Sequence, residues 1–112
     1  MSIYYEIPQI PYKRLIEDLE AGRVPGLRLE YCNADGEPVG KENGGRPRVH
    51  EEETDTYCWL YRPVKYRRGV GIKFFGVNVD PERMRAVFRR LKEYYGPITP
   101  IDEEQLGIIH VG

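Results

Sequence analysis

Apolar side chains recur along this chain with two different periods, and the places where the period changes outline the elements. Ile3 to Ile7 reads as a short strand, closed by Pro8 and Pro11, which have no N–H to give to a sheet ladder. Tyr12, Leu15, Ile16 and Leu19 then fall at i, i+3, i+4 and i+7. That spacing predicts a helix with one apolar stripe and with Lys13, Arg14, Glu17, Asp18 and Glu20 turned outward. Gly22 stands just past the last periodic residue, where a left-handed cap needs no Cβ, and Pro25 keeps the helix from resuming. From Leu27 to Cys32 the period drops to two, as on a strand with one face buried and one wet.

Periodicity then lapses. Residues 33 to 53 are dense in Gly, Asn, Asp and Pro with few apolar positions, which predicts a long loop and, because long loops in small domains are usually functional or disordered, a second place to look for activity. The stretch from Thr54 to Val79 restores the pattern and holds the only Trp, two of the three Phe and one of the two Cys. It reads as a central hairpin with Pro63 and Gly69 around a basic tip. One strand sets Tyr57, Trp59 and Tyr61 against Cys58 and Leu60; the other sets Val70, Ile72 and Phe74 against Lys73, Phe75, Val77 and Val79. Neither face of either strand is clearly wet. The hairpin is therefore expected inside the sheet, with helices on one side and a loop, a partner or a second subunit on the other.

Asp80 as N-cap, Pro81 at the first helical position and the stripe Met84, Val87, Phe88, Leu91, Tyr95 predict a second helix that stops at Gly96 and Pro97. A turn-rich stretch then leads to a last short strand over Ile108 to Val111. The predicted order is strand, helix, strand, long loop, strand, strand, helix, strand. This is an α+β fold: a single small antiparallel or mixed sheet with two helices on one face. It is expected to be ferredoxin-like (split βαβ) or a variant with an extra hairpin strand, with residues 1–112 forming one domain. The run LIEDLEAGRVPGLRLEY resembles the early part of Rubisco small subunits; the basic hairpin has no counterpart there, so neither family nor residue role is taken from it.

Composition adds a size limit and a charge pattern. At 112 residues and 13.1 kDa the chain supports one modest core. No apolar run reaches membrane-spanning length and the N-terminus shows no leader pattern, so a cytoplasmic protein without membrane partners is expected. Sparse amides beside 12 Arg follow a trend of thermophile proteins. Net charge is -1, yet residues 1–60 carry 7 basic and 12 acidic side chains while residues 61–112 carry 10 and 6. Such an asymmetry serves either an anionic partner for the second half or attraction between the halves within the fold.

Catalytic signatures are absent: there is no phosphate-binding Gly loop ending in Lys-Ser/Thr, no helical His pair and no GxSxG elbow. Cys32 and Cys58 are expected to be buried free thiols, the acids at 51–55 and 102–104 to form solvated faces, and no cofactor or metal is assigned. The basic tip offers more. Arg62, Lys65, Tyr66, Arg67 and Arg68 occur with no acid among them, Lys73 follows, and Arg46 and Arg48 could join the patch.

Three functions follow from these residues. The first is a non-catalytic binding protein that engages nucleic acid or a phosphorylated ligand through the tip. The alternative is an adaptor, inhibitor or accessory subunit, or a homo-oligomer, meeting a protein partner through the face of Tyr57, Trp59 and Tyr61. The third is a small phosphodiester-acting enzyme. The tip could equally be a solvated hairpin end and the aromatic face ordinary core.

Overall fold

The computed structural model describes residues 1–64 and 68–107. Strands β1 (Ser2–Ile7), β2 (Leu27–Cys32), β3 (Arg46–Glu51), β4 (Thr56–Tyr61), β5 (Val70–Phe75) and β6 (Thr99–Pro100) form one sheet in the order β2-β3-β4-β5-β1-β6. Every pairing in it is antiparallel. Helices α1 (Tyr12–Glu20) and α2 (Pro81–Tyr95) cover one face, and a single-turn helix, α3 (Glu103–Leu106), lies on the other.

The strand order corrects the ferredoxin-like expectation. In a split βαβ arrangement the strand after the first helix returns close to the first strand. Here α1 carries the chain from β1 to β2 at the far edge, past β5, β4 and β3. The long-loop expectation is corrected too, because β3 occupies its C-terminal part and bridges β2 to β4. Its sequence RPRVHE hides the alternation: the positions that face the helices are Pro47, Val49 and Glu51, so only one of the three is a typical core residue. Similarly, Gly76–Val79 forms a 3-10 turn instead of prolonging β5, which removes Val77 and Val79 from the strand face assigned to them. The predicted last strand, Ile108 to Val111, lies outside the described residues.

The two helices behave as their spacing requires with one correction: Asp18, expected to turn outward, is buried, because it meets Tyr95 of the other helix. Asp80 accepts a hydrogen bond from the Arg83 N–H at 3.2 Å, capping α2 behind Pro81. Leu15, Ile16 and Leu19 of α1 and Met84, Val87, Leu91 and Tyr95 of α2 pack on Ile7, Val49, Cys58, Leu60, Val70, Ile72 and Phe74. The helices also lock to each other through one buried bond, Tyr95 Oη donating to the Asp18 carboxylate at 2.8 Å. Arg14 and Arg23 reach the same carboxylate at 3.3 and 3.0 Å. The Tyr95 hydrogen bond and these two guanidiniums hold Asp18 below its ordinary pKa against the opposing effect of burial.

Across the sheet the second, smaller cluster forms where Ile101 and Leu106 meet Tyr4 and half-buried Tyr61. Gly71 makes that contact feasible: a Cβ there would run into the Leu106 side chain. No helix among the described residues is long and apolar enough to cross a membrane.

Candidate functional site

Alternation along β4 places Cys58 and Leu60 under the helices and turns Tyr57, Trp59 and Tyr61 to the opposite face, where all three are half-buried. Register brings further candidates to that face. Glu30, Arg48, Trp59, Lys73 and Tyr4 stand side by side across five strands. Arg46, at the start of β3, belongs to the same face; burial raises the pKa of Tyr61, and the Arg46 charge offsets only part of that rise. Three cations expected at the tip therefore share a surface with the three aromatics expected at a protein interface.

Most of the polar groups on this face are already engaged. The Arg48 guanidinium lies over the Tyr57 ring at 4.1 Å and near Trp59 at 5.6 Å, and its Nη2 reaches Glu30 at 3.3 Å. His50 stacks on Tyr57 with centroids 4.3 Å apart and bonds the Asp55 carboxylate through Nε2 at 2.7 Å. Its Nδ1 lies 3.1 Å from Arg28 Nη2, a set satisfied by the imidazole protonated on Nε2. Lys73 sits 5.9 and 5.8 Å from the Tyr4 and Phe75 rings. Arg48 is thus a structural cation in a strand, not a loop residue free to join the tip.

At the start of β4 the acids of the turn are engaged in the same way. Glu51 is fully buried, receives the Thr54 N–H at 2.7 Å and its hydroxyl at 2.6 Å, and pairs with Arg90 Nε at 3.1 Å. Burial pushes its pKa up, but the Thr54 bonds and Arg90 outweigh it and leave the carboxyl below its usual value. Arg90 also reaches Glu53 at 2.9 Å and the Pro25 carbonyl at 3.2 Å, and Arg83 ties down the Thr54 and Asp55 carbonyls. No sequence signal marked Glu51 as buried or Arg90 as its partner, since both sit in charged runs.

The end of β4 is different. Arg62 and Arg68 are exposed, and neither pairs with a carboxylate among the described residues. Arg62 lies over the Tyr12 ring at 5.0 Å. Together with Lys13, Pro11, Pro63 and Val64 these residues line a cleft of about 600 Å³ with no acid among the described residues of its wall. Gly69 allows it: at φ +107 it passes so close to the Ile7 carbonyl that any Cβ would collide. Lys65, Tyr66 and Arg67, the centre of the predicted tip, lie outside the described residues. Lys13 and Tyr12 were read only as parts of a helix; their approach to Arg62 depends on how α1 packs against the end of the sheet.

The remaining chemistry is limited. Cys32 and Cys58 are buried free thiols, and burial raises the Cys58 thiol to about 12, so no thiolate forms there near neutral pH. No group of three His, Cys, Asp or Glu positioned to hold a metal occurs among the described residues. No family model, no curated protein and no solved structure matches the chain.

Proposed function

We propose that this is a non-catalytic binding protein that holds a phosphate-bearing partner, nucleic acid or a phosphorylated small ligand, at the β4–β5 end of the sheet. One observation carries the reading: Lys13, Arg62 and Arg68 surround a cleft whose wall has no carboxylate, in a protein whose other arginines mostly sit on acids or backbone carbonyls. Lys13 pairs loosely with Glu17 at 3.9 Å, but Arg62 and Arg68 have no carboxylate partner among the described residues, and such cations beside an aromatic ring suit phosphate oxygens and an unpaired base. Arg46, Arg48 and Lys73, on the opposite face, are not part of this cleft.

A 5′-phosphorylated single-stranded hexanucleotide, followed by fluorescence anisotropy, tests it. With Lys13, Arg62 and Arg68 each on a separate phosphate the log–log salt slope is about -2, and with all three on one phosphate it is about -0.7. Changing Arg62 and Arg68 together to Glu abolishes binding. A slope near zero, or binding that survives the double change, refutes the reading.

A second reading, a protein partner on the open sheet face, is favoured by Phe75, which is 57% exposed beside Lys73, together with the half-buried aromatics of β4. It requires a complex insensitive to salt and lost on Trp59→Ala, seen as a change in molecular mass in solution.

A further inference from the structure

The cleft at Arg62 continues past Tyr12. A second cleft of about 420 Å³ shares Tyr12, Lys13 and Arg62 with the first and extends to Tyr31, Lys41 and Glu20. The two ends of this trough differ in chemistry. Around Arg68 the charged wall groups are cations only; around Tyr31 the wall is ring and aliphatic surface, Tyr31, Pro47 and Ile16, with Lys41 beside the ring and the carboxylates of Glu17 and Glu20 at its border. Glu17 is held 3.9 Å from Lys13, whereas Glu20 makes no ion pair among the described residues. The Tyr31 hydroxyl is buried without a hydrogen bond of good geometry, and Lys41 lies over the ring at 5.6 Å. Burial and then the Glu20 carboxylate raise its pKa, so the phenol stays a neutral donor.

A long polyanion laid along this trough meets only cations at one end and two carboxylates against the single Lys41 at the other. Inorganic phosphate uses only the first end. A molecule with a phosphate at one end and a flat, amino-bearing ring at the other satisfies both. Building on the proposed phosphate-binding role, we infer that the trough takes a single nucleoside phosphate: the phosphate rests among Lys13, Arg62 and Arg68, and the base lies against Tyr31 with its exocyclic amino group donating to Glu20. The volume is in the range of small-ligand sites, roughly 300–1,000 Å³. Base and guanidinium can also stack in sequence on Tyr12, because Arg62 already covers that ring.

Isothermal titration calorimetry of the intact chain with AMP, UMP, pyrophosphate and an unphosphorylated hexanucleotide tests the inference. AMP should bind about tenfold more tightly than pyrophosphate, and UMP, which lacks the amino donor, should fall between them. Glu20→Ala, at an exposed position, should remove the AMP preference over UMP and leave pyrophosphate unchanged; Tyr31→Ala should weaken both nucleotides alike. Arg62→Glu should weaken AMP and pyrophosphate together. Equal binding of AMP, UMP and pyrophosphate, with Glu20→Ala silent, overturns the nucleotide assignment while the phosphate site stands. Tighter binding of the hexanucleotide than of AMP overturns it as well. Failure of all four probes at low salt removes both the inference and the reading beneath it.

Discussion

Strand β4 begins at an acidic turn and ends at a basic link, and the two ends are handled in opposite ways. At the acidic end Glu51, Glu53 and Asp55 meet Arg90, Arg83 and His50, and backbone carbonyls are bonded as well. At the basic end Arg62 and Arg68 find an aromatic ring and open space. The first arrangement neutralises charge inside the fold and leaves nothing over for a ligand. The second leaves Arg62 and Arg68 without a carboxylate partner among the described residues. The opposite charges of the two halves of the sequence therefore serve mainly to join α2 to the β3–β4 turn, and what remains uncompensated is local.

The comparison can be broken first at Arg90. Arg90→Met leaves the carboxylate of Glu51 buried with only Thr54 to bond it, and should cost about 3 kcal/mol in urea unfolding. Adding Glu51→Gln should restore part of that loss. Full recovery is not expected, since Glu53 and Pro25 also lose their partner. A loss below about 1 kcal/mol for the single change would show that the acidic end is not held by this pair.

Acid titration gives the next effect. Glu51 and Asp18 are held below their ordinary values of 4.5 and 3.8, so their contribution is complete above those values and is lost as pH falls through the folded-state pKa of each. Thermal stability should be flat from neutrality to about pH 5 and fall below it. In Asp18→Asn the fall should be shallower, with a lower plateau at neutral pH from loss of the Tyr95, Arg14 and Arg23 bonds. A plateau that ends well above pH 5 would point to a different titrating group.

His50→Ala removes the Asp55 bond and the stack on Tyr57, and should cost about 1 kcal/mol by denaturant midpoint. The smallest effect belongs to the basic end. Arg62→Glu with Arg68→Glu should change stability by no more than about 0.5 kcal/mol, because neither arginine pairs with a carboxylate among the described residues. A loss as large as that of Arg90→Met would mean that the basic link is structural after all, and would erase the contrast.

Much of this was legible from residue order. Both large helices, their caps and their buried stripes follow from the spacing of Leu15 to Leu19 and Met84 to Tyr95, since a 3.6-residue period on a short amphipathic segment admits one buried face. The division of β4 into Cys58 and Leu60 against Tyr57, Trp59 and Tyr61 was equally readable. β3 was not, because an ion pair replaces an apolar side chain at Glu51 and Pro47 interrupts the run, so the sequence shows neither alternation nor hydrophobicity there.

The candidate site divides along the same line. Residue types alone marked Arg62 and Arg68, since a run of cations without acids stands out in any chain. Their neighbours Tyr12, Lys13 and Tyr31 come from 31 to 56 positions earlier and are brought to them only by the packing of α1 on the sheet and the place of β2 at its edge. Local period and capping set which segments become helix or strand, because those are contests within one turn or one pleat. Which charges are cancelled and which stay open is settled by contacts between distant segments. Arg48 and Arg62 look alike in the sequence, yet one is bound to Glu30 across a strand pair and the other faces solvent over a tyrosine.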